Sequence, residues 1–551
     1  MKKNLNWVQK GLCFLTTATL LSGCGAPPKS AESGGGMAAG TTAAETWAVT
    51  GEGADMDIFY DGEAGLVSGG SSMTMKYDIA YGSEDFNTEE YSYISENGYK
   101  SVAEEPLSTF SIDVDTASYS NLRRYIHSGQ EIPPDAIRIE EMLNYFSYDY
   151  PEPQKEEPFS VTTEYSDCPW NEDSRLLLIG LKAKEIDFSR RPASNLVFLL
   201  DISGSMYSND KLPLVQKAFT MLAENLTEKD RVSIVTYAGY ESVVLDGVPG
   251  NQTAKIAAAL SDLEAGGSTA GAAGIEKAYS LAEKNFISGG NNRVILATDG
   301  DLNVGISSEG DLTRLIQEKK KSGVHLSVIG VGTGNLKDNK MEALADNGDG
   351  NYHYIDTIFE AKKVLVDEMG GTLITVAKDV KIQVEFNPKY VSGYRLVGYE
   401  NRLLKQEDFN NDKVDAGEIG SGHSVTALYE IIPAKGMDSG SESTLKYQTS
   451  QKNLVDSTEL LTVNLRYKAP NGNKSTLLSY PVEADSYQTE LSENLAFACA
   501  VAEFGMVLRD SENKGNATFD TVLALAEPCI HADTDDYKKE FLSLVEMAKE
   551  R

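Results

Sequence analysis

The chain has 551 residues, enough for two to four domains with a sizeable core, and a formal net charge of −33. So acidic a chain argues against nucleic acid as a partner, because phosphate contacts need clustered Lys and Arg. Its five cysteines (Cys13, Cys24, Cys168, Cys499, Cys529) form no Cys-x-x-Cys and its five histidines no His-Glu-x-x-His, so neither a zinc centre nor a thioredoxin-like centre is indicated.

Residues 1–24 read as a targeting segment. Lys2, Lys3 and Lys10 form a positive region, and Gly11 to Leu21 is an apolar stretch too short to span a membrane comfortably. It ends in Leu21-Ser22-Gly23-Cys24, which resembles a bacterial lipobox. The resemblance implies that Cys24 becomes the lipidated first residue of a protein anchored outside the cytoplasm, at the bacterial cell membrane or outer surface. The other reading is an ordinary signal peptide cut elsewhere. Residues 25–106 are expected to be a disordered tether, rich at first in Gly, Ala, Ser and Thr and without sustained periodicity. A flexible linker of that length has a reach of roughly 50 Å.

Order is expected from Leu107. In 107–192, Ser108 to Asp115 alternates like a strand, Thr116 to His127 reads as a helix closed by Ser128-Gly129, and Pro133-Pro134 opens a second helix. Asp113 and Asp115 admit a second cation site, although capping and surface roles are favoured. Phe159 to Glu164 and Arg175 to Lys182 then read as strands. Within 193–372 strands alternate with helices: Leu196 to Leu200, Arg231 to Tyr237, Arg293 to Thr298 and Val324 to Val331, with helical spacing between them. That alternation predicts a doubly wound, mostly parallel sheet.

The run Leu196 to Leu200 ends in Asp201-Ile-Ser203-Gly-Ser205, which puts a carboxylate and two hydroxyls where open α/β sheets bind ligands. An oxygen-only set suits a hard divalent cation. The motif resembles the metal-ion-dependent adhesion site of von Willebrand factor type A (VWA) domains. The resemblance implies a site made of Asp201, Ser203, Ser205, Thr269 and Asp299, holding Mg²⁺ (or Mn²⁺ or Ca²⁺) and leaving one position to a carboxylate from a protein partner. Gly266-Gly267 lets backbone pass close to the ion, and Asp301 reads as loop structure. The stretches Thr109 to Tyr119, Arg138 to Phe146, Tyr394 to Arg402 and Asp415 to His423 resemble a family of bacterial VWA lipoproteins with a characteristic N-terminal region and C-terminal domain.

Residues 373–490 return to a strand pattern. Asp408-Phe-Asn410-Asn-Asp412 begins like a calcium loop but has Lys413 where an EF-hand needs Gly, so an acidic surface turn is favoured. Residues 491–551 read as helices, with Cys499 and Cys529 expected as buried thiols. Two strands at 159–182 are too few for a stable sheet, so they are expected to pair with strands beyond 380. The expected fold is therefore α/β, a VWA sheet inserted in a β-rich, sandwich-like domain with a helical C-terminal part, resembling the integrin β-chain arrangement. No nucleophile elbow, P-loop or His-Glu-x-x-His is present, so no catalytic residues are assigned and no enzyme is expected. The favoured function is a cell-surface protein that binds a protein ligand through its cation. An envelope scaffold or assembly factor is the alternative, and a hydrolytic enzyme stands behind both.

Overall fold

Leu196, Val197, Phe198, Leu199 and Leu200 are all fully buried, as a strand covered on both faces must be. In this computed structural model, which describes residues 87–551 apart from 155–156, 188–189, 268–270, 301–307, 435–454 and 532–533, they lie in the strand Ser194–Asp201. It runs parallel to Arg231–Tyr237 on one side and to Asn291–Thr298 on the other. His325–Val331 and Tyr352–Ile355 continue the sheet in parallel, and Glu241–Pro249 closes the far edge antiparallel. Leu196, Phe198 and Leu200 pack with the helix Leu212–Glu224, while Val197 and Leu199 pack with Gly271–Lys284 on the opposite face. The sheet is doubly wound, as expected.

The strand Arg175–Ala183 pairs with Ser424–Pro433, from Arg175 opposite Ile431 to Lys182 opposite Ser424, and with Phe159–Asp167 on its other side. A strand that precedes the VWA segment is thus hydrogen-bonded to one that follows it, which is the expected insertion. A second sheet contains Thr375–Phe386, Glu459–Lys468 and Ser475–Glu483, with Leu107–Ser111 paired to Thr375–Phe386. Leu177, Ile179, Leu181 and Tyr429 of the first sheet meet Val384 and Val463 of the second in one core. That is a sandwich. The alternate residues Leu176, Leu178 and Leu428 face a helical layer built from Ala117–Ser128, Ile139–Asn144, Glu493–Leu508 and Asp536–Lys549. Gly180 belongs to this face: a Cβ there would lie 2.4 Å from the Tyr150 ring.

The structure corrects the N-terminal expectations. Order begins well before Leu107: Lys100–Ser101 pairs with Val391–Val397, Val102 is buried, and Asn97 donates to the carbonyls of Leu396 and Gly398. Few apolar residues mark this stretch because polar contacts hold it. Asp113 and Asp115 are not on the surface but buried, both paired with Arg402 (3.2 and 3.0 Å), which also reaches Asp346 (2.6 Å). They are counter-ions to an arginine rather than a second cation site. The acidic turn near Asp412 accepts a hydrogen bond from Ser475, as suits a surface turn. Cys499 and Cys529 are buried free thiols, and Cys24 lies outside the described residues.

His353, on the strand Tyr352–Ile355, is 2% exposed and shares a 2.9 Å hydrogen bond with Thr116. Burial pushes its imidazole down to about 4. An unfolded chain takes up that proton near pH 6.5, so the neutral imidazole carries no penalty above that pH, and stability is lost as pH falls toward the folded value. Between pH 7.5 and 5 the wild type is expected to lose about 2 kcal/mol more unfolding free energy than His353→Gln. Urea titrations at the two pH values measure this, and parallel losses would contradict it.

Candidate metal centre

The central strand ends at Asp201, which is fully buried, and the chain turns through Ile202 and Ser203 into the short 3-10 turn Gly204–Tyr207. Ser203 N–H donates back to Asp201 Oδ1 (2.9 Å), while the hydroxyls of Thr298 (3.0 Å) and Tyr237 (3.2 Å) donate to Oδ2. Ser203 Oγ and Ser205 Oγ lie 3.0 Å apart. Asp299, also fully buried, follows the neighbouring strand Asn291–Thr298, so parallel pairing brings the two aspartates to the same end of the sheet. Lys211 Nζ lies 3.1 Å from Asp299 Oδ2 and 3.0 Å from Asn335 Oδ1.

The glycine pair does what its conformation allows. Gly266 N–H donates to Ile202 O (2.7 Å), and Gly267 O accepts from Gly204 N–H (3.0 Å). Gly267 sits at φ +87°, a backbone region that disfavours a side chain. Thr269 and Asp301 lie outside the described residues. Of the five expected ligands, the structure brings together Asp201, Ser203, Ser205 and Asp299.

Burial, followed by the charge of Asp299, pushes the Asp201 carboxyl up to about 6. Two buried carboxylates and two hydroxyls form an oxygen-only donor set with the excess negative charge that a hard divalent cation satisfies. These residues fit Mg²⁺ or Mn²⁺. Sequence reasoning missed Thr298, Tyr237, Lys211 and Asn335, which carry no motif of their own; the hydroxyl of Thr298 beside Asp299 was the one readable signal. A second group, His325, Asp349 and Glu418, has ligand-type atoms within 4.8 Å of one another. Lys320 already supplies a cation there, 2.7 Å from Asp349 and 2.6 Å from Asp415. Burial, then the Asp349 charge, pushes Glu418 up to about 8, so the group reads as a proton-holding ion network where the inserted domain meets the sandwich.

A doubly wound sheet with Asp-x-Ser-x-Ser on its central exit loop and an aspartate ending the adjacent strand defines a VWA-domain protein. The family described as von Willebrand factor type A domain matches residues 195–368, that described as von Willebrand factor matches 85–178, and that described as Uncharacterized protein YfbK, C-terminal, matches 371–550. The chain belongs to the YfbK family of bacterial VWA proteins. Uncharacterized protein YfbK of Escherichia coli (strain K12) is 44% identical over 470 residues, 84% of this chain and 81% of that protein. Uncharacterized protein sll0103 of Synechocystis sp. (strain ATCC 27184 / PCC 6803 / Kazusa) is 31% identical over 192 residues, 34% of this chain and 43% of that one. Among solved structures, a von Willebrand factor type A protein from Catenulispora acidiphila is 15% identical with a TM-score of 0.42, over 73% of this chain and 91% of its own.

Asp201→Asn removes one of the two buried like charges. Without divalent ions this variant is expected to unfold at a temperature no lower than the wild type, and millimolar Mg²⁺ is expected to raise the midpoint of the wild type alone, since a ligand of the native state stabilises it. Thermal melts with EDTA and with Mg²⁺ measure both effects. An equal Mg²⁺ shift in the variant would remove Asp201 from the ligand set.

Proposed function

We propose that this protein is a lipid-anchored, extracytoplasmic binding protein whose VWA domain holds a divalent cation, preferably Mg²⁺, on Asp201, Ser203, Ser205, Thr269 and Asp299. The bound ion would supply a residual positive charge to which a carboxylate of a protein partner binds. The observation that carries this reading is the pair of fully buried aspartates set side by side with two hydroxyls at the ligand-binding end of the sheet. Ser205 is exposed, so the site has an open side. Tyr207 (82% exposed) stands on the loop of Ser203 and Ser205 and Tyr240 (77% exposed) on the turn after the neighbouring strand Arg231–Tyr237, and exposed aromatics of this kind suit a protein interface. Binding rather than catalysis is favoured because Ser203 and Ser205 lie against one another, and no imidazole hydrogen-bonds either hydroxyl among the described residues. The acidic composition, with the anchor at Cys24, favours a protein partner over nucleic acid.

The test is a pull-down with the intact protein in Mg²⁺, in EDTA, and with Asp201→Ala in Mg²⁺. A partner held by the wild type in Mg²⁺ and absent from the other two arms is expected. An external protein supports adhesion, and an envelope component moves the role to scaffolding. Partners retained equally in all three arms would overturn cation-dependent binding. For the anchor, Cys24→Ser is expected to leave the membrane fraction for the soluble one, because the apolar stretch before it is too short to span. A salt-washed membrane pellet that keeps the variant would count against lipidation.

A further inference from the structure

The first described residues, 87–91, lie along the outside of the loop Gly332–Lys337. Thr88 N–H donates to Gly334 O (2.8 Å) and Glu90 N–H to Leu336 O (2.9 Å), and Glu90 Oε1 lies 2.7 Å from Lys337 Nζ. Gly334 N–H donates to Glu89 Oε1 (2.8 Å). The Glu89 side chain is 2% exposed, and its two oxygens accept from both terminal nitrogens of Arg124 (2.9 and 2.8 Å). This is a fixed attachment made by backbone bonds and a bidentate buried ion pair, the stronger kind of polar contact.

The inner side of the same loop touches the metal centre. Asn335 Oδ1 accepts from Lys211 Nζ, and the same ammonium reaches Asp299 Oδ2. The stem of Lys211 lies across Gly332, where a Cβ would meet Lys211 Cε at 2.2 Å, at a φ of +76°. Gly300, next to Asp299, is pressed against the loop as well: a Cβ there would lie 2.4 Å from Lys337 N. The loop therefore has no room to shift without moving Lys211 or the backbone beside Asp299. A continuous set of contacts runs from Glu89 through Gly334, Asn335 and Lys211 to the Asp299 carboxylate.

We infer that the segment 87–91 is a strap that belongs to the metal centre: by fixing the Gly332–Lys337 loop it holds Lys211, and through Lys211 it orients Asp299 for the cation. Glu89 and Lys211 are positioning residues in this account, which rests on the metal-site reading above. The strap precedes the sandwich in sequence and lies far outside residues 195–368, so the VWA segment alone lacks it. Groups that orient a metal ligand from behind commonly alter metal affinity by about 10–100-fold when removed. Lys211→Met is expected to weaken Mg²⁺ binding by about tenfold or more, its loss of orientation outweighing the relief of charge repulsion, and Glu89→Ala, two hydrogen bonds further out, by about three- to tenfold.

Calorimetric Mg²⁺ titration of the full chain tests this with a double-mutant cycle, in which residues acting through one route are non-additive. Glu89→Ala added to Lys211→Met is expected to cause no further loss, and Glu89→Gln, which keeps the oxygen that Gly334 N–H donates to, is expected to bind close to wild type. A strap that merely stabilised the fold would leave Mg²⁺ affinity unchanged in Glu89→Ala, and one acting by a route independent of Lys211 would give additive losses; either result would overturn the inference. Thr88→Pro deletes one strap N–H while leaving the Glu89–Arg124 pair in place, so it stands in should Glu89→Ala fail to fold. Wild-type affinity in Thr88→Pro would equally overturn the strap. A wild type that binds no Mg²⁺ would instead overturn the metal-site reading itself.

Discussion

Two carboxylates buried side by side are the constraint around which the inserted domain is arranged. Asp201 and Asp299 end adjacent parallel strands, with Leu200 opposite Ala297 just before them, so neither can move without disturbing the centre of the sheet. Burying like charges together is costly, and the surroundings answer with donors: Ser203 N–H, Thr298, Tyr237 and the Lys211 ammonium. These offset part of the charge, and the oxygen-only set remains suited to a divalent cation. Placement comes from the apolar strands and helices, whereas the candidate site is made by the residues at their ends.

The placement of that domain on the sandwich depends on arginines. Arg123, on the helix Ala117–Ser128, pairs with Asp356 (2.5 Å) and Glu360 (2.8 Å) of the inserted domain. Arg138 pairs with Asp338 (2.5 Å), and Arg402 joins Asp113 and Asp115 of the N-terminal region to Asp346 of the inserted domain. Each of these three arginines joins an element of the flanks to one of the VWA segment. Removing one member of such a buried pair leaves the other charge stranded, at about 3–5 kcal/mol. The inserted domain is therefore held by directional contacts in addition to its two chain connections, so its ligand-binding end keeps a defined orientation relative to the strap.

Much of this architecture is legible in the residue pattern. The unbroken apolar run before Asp201 marks a strand covered on both faces, and the shortage of partners for the strands at 159–182 requires pairing across the insertion. The candidate oxygen cluster is readable because a motif places Asp201, Ser203 and Ser205 on one loop and Asp299 follows a recognisable strand. What escapes a linear reading is contact between distant segments held by polar groups. Glu89 and Gly334 are 245 residues apart, and the segment around Glu89 has too few apolar residues to show periodicity. Lys211 looks like any lysine at the start of a helix until Gly332 and Asn335 are folded against it. Asp113 and Asp115 look like surface acids until Arg402 arrives from 287 residues further along the chain.

The most direct test of the central claim is anomalous diffraction from crystals of the full chain grown with Mn²⁺. The account predicts a single strong peak bounded by Asp201, Ser203, Ser205 and Asp299, with Lys211 still on the outer oxygen of Asp299. A fully ordered site with no peak there, or a peak at His325, Asp349 and Glu418 instead, would contradict it.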